Sequence, residues 1–364
     1  MNNTFGKNIS VTIFGESHGA AIGAVVDGLP GGIEIDKSFI SSQLSLRRPA
    51  GKISTSRCEA DKFSIVSGYF NGKTTGTPLC IIIPNENTQS KDYSATYGKA
   101  RPGHADFTAF TKYNGAEDYR GGGHFSGRVT AALVAAGAII IDVLKKKNIL
   151  IGTHIKKCAG VFDADFTDYE KDVKALSEKT FAVISDEAGK EMVRNIEGAS
   201  ADGDSVGGIL STAIVGLPVG VGDPWFDTLE GILSYGLFSI PGIKGVEFGA
   251  GFACADMLGS EMNDAFRVEN GQVVTETNNN GGINGGISNG MPVLFNCAVK
   301  PTPSISKEQD TIDFVKGEDA VLSVHGRHDP CIVHRARVVV DSVTAIAVCD
   351  MLASKYGTDW LGDN

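Results

Sequence analysis

The stretch SGRVTAALVAAGAIIIDVLKKK, from Ser126 to Lys147, is apolar on nearly all sides over the length of a long helix. A helix without a polar face is typical of a buried core element. Its longest apolar run, from Ala131 to Ile141, ends at Asp142 and is too short to cross a bilayer. We therefore expect a long helix in the interior of the molecule.

The segments before this helix predict strands, tight turns and one capped helix. Asp36 is placed to cap a helix that runs through Arg48, because its carboxylate accepts hydrogen bonds from the first turn, and Pro49 ends that helix. Residues 63–83 predict a β-hairpin, since Asn71-Gly72 supplies the positive φ angles of a tight turn.

The second half predicts two more helices and an insertion. An apolar helix is expected over Arg337–Tyr356, and another after Asp223-Pro224, with the proline in its first turn. Residues 158–200 are the most charged part of the chain and predict a peripheral helical insertion. Strand-rich segments joined by apolar helices indicate an α+β protein with antiparallel sheets.

Two segments resemble each other. Residues 24–36, AVVDGLPGGIEID, and residues 213–224, AIVGLPVGVGDP, each read as a strand, GLP, a glycine and an acidic residue. The similarity indicates either two related halves with a pseudo-two-fold relation or a coincidence in a chain with 46 glycines. The sequence leaves both interpretations open.

Composition restricts the class of protein. The chain has 364 residues, 42% hydrophobic and 21% charged, so it can bury a large core as one domain or two fused halves. Its formal charge of -10 argues against a binder of nucleic acid or of anionic membranes. The opening MNNTFGKNIS has no charged-then-apolar leader, so we expect a cytoplasmic protein.

The cysteines and histidines do not predict a metal site. The 7 cysteines are scattered without a C-x-x-C pair, and no H-E-x-x-H pattern occurs. An odd number of scattered cysteines indicates reduced thiols rather than a disulfide framework.

A histidine lies in a glycine turn at FGESHG, residues 14–19. The glycines around Ser17 and His18 let the imidazole approach a ligand, and its ordinary pKa of about 6.5 suits proton donation near neutrality. GESHG also fits the G-x-S-x-G elbow of hydrolases with Ser17 as nucleophile, but that elbow leads into a helix and the residues after Gly19 read as a strand. A loop histidine that bonds only backbone is the third interpretation.

Two glycine-rich segments add arginines and histidines. In RPGHAD, residues 101–106, the turn at Pro102-Gly103 brings Arg101 and His104 together; the alternative is a helix start with an incidental histidine. In RGGGHFSGR, residues 120–128, a glycine turn before a helix offers N–H groups and the positive end of the helix dipole to an anion. An ordinary strand-to-helix connection would have the same pattern.

Later segments extend this chemistry. GGINGGISNG, residues 281–290, lacks the strand of a dinucleotide fingerprint and reads as a surface loop, but VKPTPS follows, with Lys300, Thr302 and Ser304 able to contact a phosphate. HGRHDPCIVHRAR, residues 325–337, is rich in arginine, part of which structural salt bridges would explain. Together the segments predict a site for a polyanionic small molecule, because arginine binds carboxylate and phosphate and histidine can protonate a leaving oxygen.

The same segments occur in the order found in chorismate synthases. The chain resembles that family from about residue 5 to residue 350, and only residues 158–200 are uninformative. The matching motifs are GESHG, RRP, TTGTP to IIIPNENTQSKDYS, RPGHAD, DYRGGG, AAGAI, GLPVGVGDPWFD, SIPGIKGVEFGAGF, GGINGGISNG, VKPTPSI and GRHDPC.

The resemblance implies a lyase that converts 5-enolpyruvylshikimate 3-phosphate to chorismate and phosphate by a 1,4-anti elimination, the last step of the shikimate pathway. It implies reduced FMN as cofactor, although the reaction has no net redox change. The implied fold is a single domain over residues 1–364, a β-α-β sandwich with antiparallel sheets outside a central layer of helices, and the implied assembly is a homotetramer. The flavin could be reduced by an external donor or by NADPH bound to the protein itself. We favour the external donor.

The resemblance also implies roles for single residues. His18 would protonate the departing phosphate and His104 would stabilise the reduced flavin near its N1 and C2 oxygen. Asp329, with Ser17 and Ser126 as relays, would help the flavin N5 accept the substrate proton. The implied substrate-binding cations are Arg47, Arg48, Lys52, Arg101, Arg128 and Arg327. The implied flavin contacts are His124, Phe125, Ser126, Pro241, Gly242, Gly285, Lys300, Pro301, Thr302, Pro303, Ser304 and Arg327.

The chain departs from the family pattern in two places. Many members have GGGRSSARET where this chain has GGGHFSGRVT, so His124 replaces an arginine, Phe125 a serine and Val129 a glutamate. Lys52 stands where an arginine often follows RRP, which keeps the charge but loses the planar fork.

Three other functions compete with the lyase. A flavin oxidoreductase acting on a phosphorylated acid would oxidise its flavin in step with product. An anion-binding protein without catalysis would bind and release no phosphate. A serine hydrolase would act without flavin and depend on Ser17.

Overall fold

The computed structural model describes residues 3–49, 51–54, 60–86, 97–324 and 329–362, without the side chain of Lys52. In chain order the strands are β1 (Thr4–Phe5), β2 (Ser10–Gly15), β3 (Ala21–Asp27), β4 (Gly31–Glu34), β5 (Ser64–Ser67), β6 (Tyr69–Phe70), β7 (Lys73–Thr75), β8 (Leu79–Pro84), β9 (Leu150–Cys158), β10 (Val161–Phe162), β11 (Gly208–Val215), β12 (Ile243–Phe248), β13 (Phe266–Glu269), β14 (Gln272–Thr275), β15 (Ile283–Asn284), β16 (Ile287–Ser288), β17 (Val293–Val299), β18 (Gln309–Asp313) and β19 (Glu318–Leu322). The α-helices are α1 (Lys37–Leu46), α2 (Asp106–Tyr113), α3 (Thr130–Lys146), α4 (Tyr169–Leu176), α5 (Asp186–Ala201), α6 (Leu229–Phe238), α7 (Gly259–Met262) and α8 (Val333–Tyr356).

Two five-stranded sheets organise the fold. The first has the order β1-β2-β3-β8-β5 and the second the order β10-β9-β11-β17-β12. All neighbours in both sheets are antiparallel. The predicted α+β class with antiparallel sheets is therefore confirmed.

The helices α3 and α8 form the layer between the sheets. Helix α3 packs on β3 and β8, helix α8 packs on β9 and β11, and the two helices pack on each other. They approach closely at Gly137, where a Cβ atom would lie 2.3 Å from the Cβ of Ser342. This is the expected β-α-β sandwich.

Among the described residues, one helix, Gly127–Lys146, is long and apolar enough to span a membrane. Of its most apolar window, 78% is buried inside the fold. Its apolar surface is thus covered by α8 and the first sheet, as predicted for a core helix.

Local signals placed most elements correctly. Asp36 caps α1 by accepting from the N–H groups of Ser38 and Phe39 at 2.8 and 3.0 Å. Asn71 and Gly72 adopt φ angles of 47° and 85° in the tight turn between β6 and β7. These two predictions are confirmed.

Three boundaries differ from the predictions. Helix α1 ends at Leu46, two residues before the predicted end at Arg48. Helix α8 starts at Val333, four residues before the predicted Arg337. The helix after Asp223-Pro224 begins only at Leu229, where the Thr228 hydroxyl accepts from the N–H of Gly231 at 3.0 Å. The prediction of Pro224 in its first turn is wrong, because Pro224 precedes a separate short 3-10 turn, Trp225–Asp227.

The charged insertion adds β10 to the edge of the second sheet, beside β9, and forms α4 and α5, of which α4 packs on β9 and β11. A Cβ on Gly152 of β9 would lie 2.8 Å from Val173 of α4, whereas the next residue, Thr153, hydrogen-bonds to Asp341 of α8. Successive strand residues face opposite sides of a sheet, so α4 and α8 cover opposite faces.

The two similar segments occupy equivalent places. Each begins in the third strand of its sheet, β3 or β11, and each strand ends at a glycine with positive φ, Gly28 at 93° and Gly216 at 80°. A Cβ at either glycine would collide with a backbone carbonyl, 1.9 Å from Asn8 and 2.2 Å from Asn148. This agreement supports two related halves.

Candidate functional site

A cleft of about 1450 Å³ gathers the predicted motifs from distant parts of the chain. It is lined by residues of β2, the loop before α2, the glycine loop before α3, the C-terminal end of α6 and the start of β12. The predicted site residues that line it are His18, Arg101, His104, His124, Phe125, Ser126, Pro241, Gly242, Lys300, Pro301, Thr302, Pro303, Ser304 and Asp329.

His18 and Ser17 lie in the connection between β2 and β3 and are both buried. Gly121, with φ of 60°, lies so close that a Cβ atom there would be 2.4 Å from Cε1 of His18 and 2.9 Å from Oγ of Ser17. The N–H of Ser17 donates to the carbonyl of Gly123 at 3.0 Å. The glycine loop thus holds His18 against the cleft, and a strand rather than a helix follows it, unlike the hydrolase elbow.

His104 lies on the next glycine of the same loop. A Cβ on Gly122 would be 3.3 Å from Nε2 of His104. The Nδ1 of His104 is 2.7 Å from Oδ1 of Asp106, which also accepts from Arg101 at 2.7 Å. A carboxylate on Nδ1 fixes the imidazole orientation and leaves Nε2 beside the glycine loop.

Asp106 is held as an anion. Its burial raises the pKa, but hydrogen bonds from Arg101 and His104 outweigh burial and hold the pKa of Asp106 well below its usual range. Because Arg101 donates both Nε and Nη2 to this carboxylate, at 2.8 and 2.7 Å, its charge is already partly neutralised. Arg101 is positioned to support His104 as well as to reach a ligand.

We expect Asp106→Asn to weaken the hydrogen bonds to Arg101 and His104 and to lower the stability of the protein. Charge-assisted hydrogen bonds of this kind contribute about 2 kcal/mol, so the free energy of unfolding should fall by about that amount at neutral pH. Since folding lowers the pKa of Asp106, its contribution is complete above the ordinary value of 3.8 and is lost as the pH falls below it. Urea unfolding at pH 7, 5 and 3.5 should measure the difference in free energy of unfolding between wild type and Asp106→Asn. We expect this difference to be the same at pH 7 and 5 and smaller at pH 3.5. A difference that grows as the pH falls would contradict the prediction.

His124 and Ser126 complete the glycine loop. Nδ1 of His124 donates to the carbonyl of Gly15 at 2.8 Å, which ties the loop to the end of β2. Oγ of Ser126 accepts from the N–H of Arg128 at 3.3 Å and caps the 3-10 turn Gly127–Val129. His124 therefore serves the loop conformation in addition to lining the cleft.

The arginines of the first half lie behind the cleft rather than on its described lining. Arg47 and Arg128 are both buried and share the carboxylate of Asp61. Burial and then the charge of Arg335 lower the pKa of Arg47. Arg48 donates to the carbonyl of Ala60 and is also absent from that lining.

Asp329 reaches the cleft from the start of the segment before α8. Nη1 of Arg335 pairs with its carboxylate, and Nε of Arg335 donates to the carbonyl of Arg47 at 2.8 Å. Arg335 thereby links the two sides of the site. The predicted substrate contact of Arg327, and that of the Lys52 side chain, fall outside the described residues.

The loop after β17 forms the cationic end of the cleft. Lys300 donates to the carbonyl of Gly103, and its N–H donates to the carbonyl of Gly242 at 2.9 Å. Oγ1 of Thr302 is buried and has no hydrogen-bond partner among the residues that the structure describes. Gly285 lies elsewhere, in the turn between β15 and β16, and is not among the lining residues.

Sequence reasoning gave no role to several residues that organise the site. Asp106 lies within RPGHAD and Arg335 within the arginine-rich segment, so motif position was an available signal for both. Lys244 lies within the matching segment SIPGIKGVEFGAGF, so motif position was a signal for it too. Asp61 has no local signal, because it acts through pairing with Arg47 and Arg128.

The comparisons with known proteins agree over nearly the whole chain. The model of the chorismate synthase family matches residues 9–353. The chorismate synthase of Dehalococcoides mccartyi is 44% identical over 352 residues and covers 96% of both chains. That of Archaeoglobus fulgidus is 43% identical over 350 residues, covering 96% of this chain and 97% of the relative.

A solved structure described as a crystal structure of chorismate synthase has the same fold. Its TM-score is 0.75 at 27% sequence identity, and the match covers 98% of this chain and 94% of that one. Since the family model and relatives of this identity cover nearly all of the sequence, the chain belongs to the chorismate synthase family, enzymes of aromatic biosynthesis.

Proposed function

We propose that the enzyme converts 5-enolpyruvylshikimate 3-phosphate to chorismate and phosphate by a 1,4-anti elimination that requires reduced FMN. The observation that carries this proposal is the pair of histidines on adjacent glycines, His18 against Gly121 and His104 against Gly122, in a cleft with a cationic end. A single domain over residues 1–364, with 158–200 as an accessory insertion, would carry the reaction.

The residues present fit a phosphorylated flavin. Thr302 has a buried hydroxyl with no partner, and Lys300 forms no ion pair with any carboxylate in the described part of the chain. The lack of a Cβ at Gly121 and Gly122 lets the rings of His18 and His104 pack directly against the loop at the cleft. Residues 300–304, Pro241 and Gly242 would hold the cofactor, together with His124, Phe125 and Ser126.

The acid and the anion-binding groups have separate tasks. When bound, reduced FMN supplies an electron-rich ring that lends negative charge to the allylic system as the C–O bond breaks. The imidazole of His18 donates a proton to the departing phosphate, whose second pKa of about 6 is matched to that of a histidine. His104, whose Nδ1 is held by Asp106, would help to hold the cofactor and stabilise its reduced form.

Asp329 is the residue that we propose to act on the substrate proton. Its carboxylate, held by Arg335, lines the cleft and would assist the removal of the substrate proton, with Ser17 and Ser126 as relays. Arg101 and Arg327 would hold the substrate anions. Arg47, Arg48, Arg128 and Lys52 remain proposed substrate contacts; burial with Asp61 makes Arg47 and Arg128 also structural.

Anaerobic turnover with pre-reduced FMN tests the reaction. We expect one phosphate and one chorismate per substrate, with FMN still reduced at the end. Flavin oxidation in step with product would instead indicate an oxidoreductase. Binding without phosphate release would indicate an anion-binding protein.

We also propose a homotetramer in the cytoplasm that receives its reducing equivalents from an external donor. Large apolar side chains that stand in water in the isolated chain support the assembly, among them Trp225, Phe226 and Phe252 with 85%, 95% and 83% exposure. An external donor would not be needed if the protein itself oxidised NADPH and passed the electrons to FMN.

The double substitution Phe226→Ser and Phe252→Ser is expected to shift the assembly toward smaller species, because each removes apolar area from the contact. Light scattering after size exclusion would measure the mass. Val66→Ser, at an apolar side chain with 59% exposure in β5, is the matched control. A wild-type monomer would rule out the tetramer.

A further inference from the structure

Two lysines line the same cleft and are close enough for the charge of one to act on the other. Lys244, which is exposed, and Lys300, which is half-buried, both line it. Neither forms an ion pair with a carboxylate within the described ranges, and Lys300 donates only to the carbonyl of Gly103. Two lysines without a carboxylate partner in the described part of the chain therefore line the cleft of a protein whose net charge is negative.

The backbone accounts for the position of Lys244. Ile243 pairs with Val299 and Gly245 with Ala298, so Lys244 is the extra residue of a β-bulge in β12. A bulge re-aims a side chain, and bulges are frequent beside functional sites. The bulge places Lys244 across from the end of β17, where Lys300 follows.

This arrangement is costly in the free protein. Burial, and then the charge of Lys244, lower the pKa of Lys300. Two like charges with no anion between them destabilise each other, and a bound dianion would relieve both. The unpartnered hydroxyl of Thr302, two residues beyond Lys300, adds a hydrogen-bond donor.

Two of the carboxylates that line the same cleft already have cationic partners. Asp106 is held by Arg101 and His104, and Asp329 by Arg335. The free positive charge at this end is therefore available to a ligand.

We propose that Lys244 acts with Lys300 and Thr302 as a binding site for a phosphate monoester dianion. This inference rests on the proposed function, which supplies two such groups, the terminal phosphate of FMN and the 3-phosphate of the substrate. Lys244 is the new element, and the ligand chemistry is the same for both sources.

The test compares FMN with riboflavin, which lacks the phosphate, on the full-length protein. Lys244→Met keeps the length of the side chain and removes its charge. We expect the Kd for FMN to rise about two- to fivefold, the range for an exposed charge pair, while the Kd for riboflavin stays unchanged. Lys190→Met is the matched control, because Lys190 is an exposed lysine on α5 away from the cleft.

A second arm measures the Kd of the substrate and the thermal shift produced by inorganic phosphate. A loss confined to FMN assigns the site to the flavin phosphate, and a loss confined to the substrate assigns it to the 3-phosphate. Unchanged affinity for both in Lys244→Met overturns the inference while leaving the reaction intact. If the wild type binds neither ligand, the proposed function fails, and the phosphate shift decides the site: loss of the shift in Lys244→Met supports it and an equal shift overturns it.

Discussion

Replacing His18 with alanine is expected to lower kcat about 10²- to 10⁴-fold, the usual contribution of a general acid, with little change in substrate or FMN affinity. His18 is only 7% exposed, and its ring packs against Gly121 in the wall of the cleft. Its removal leaves Lys300 and Thr302 at the cationic end in place. The loss should therefore appear in the chemical step and not in binding.

Single-turnover phosphate release with pre-reduced FMN would measure this step, and equilibrium titration of FMN would serve as the binding control. Ser17→Ala tests the neighbouring residue. A serine hydrolase would turn over substrate in the absence of flavin, and this substitution would abolish that activity. A His18→Ala enzyme with normal phosphate release would remove His18 from the mechanism.

The features of the fold that depend on neighbouring residues could be predicted. Asp36 caps α1 through N–H groups two and three residues away, and Asn71-Gly72 forms its turn within four residues. The core helix was recognised because residues 131–141 are apolar on every side. In each case the stabilising contact lies within the segment that carries the signal.

The start of α8 shows how tertiary contacts alter a local prediction. The helix begins at Val333, which is fully buried, and includes His334, whose Nε2 is 2.8 Å from Oγ of Ser54. Packing against a distant segment therefore extends the helix beyond the apolar run that was used to predict it.

The parts of the site that depend on distant pairing could not be predicted. Arg47 and Arg128 matched substrate-binding motifs, yet Asp61 draws both guanidinium groups into a buried cluster. Lys244 reaches the cleft because β12 bulges against β17, and nothing in the residues around Lys244 specifies that register. Motif matching located the cleft but did not distinguish the residues that line it from those buried behind it.

Gly121→Ala is expected to lower kcat about 100-fold, because displacement of a catalytic group by about 1 Å costs roughly that much. Two effects act at this position. The φ of 60° is unfavourable for alanine, and the new Cβ would lie 2.4 Å from Cε1 of His18. His18 or the loop must move, and either movement separates the imidazole from the phosphate that it protonates.

Gly160→Ala separates the two effects. Gly160 has φ of 84° in the turn between β9 and β10, and no atom lies within 4 Å of a Cβ placed there. Both variants should lose about 1 kcal/mol of stability from the backbone, measured by urea unfolding. Only Gly121→Ala should lose phosphate release, since only there does the methyl group meet His18. Equal activity in the two variants would mean that the glycine loop does not position the acid.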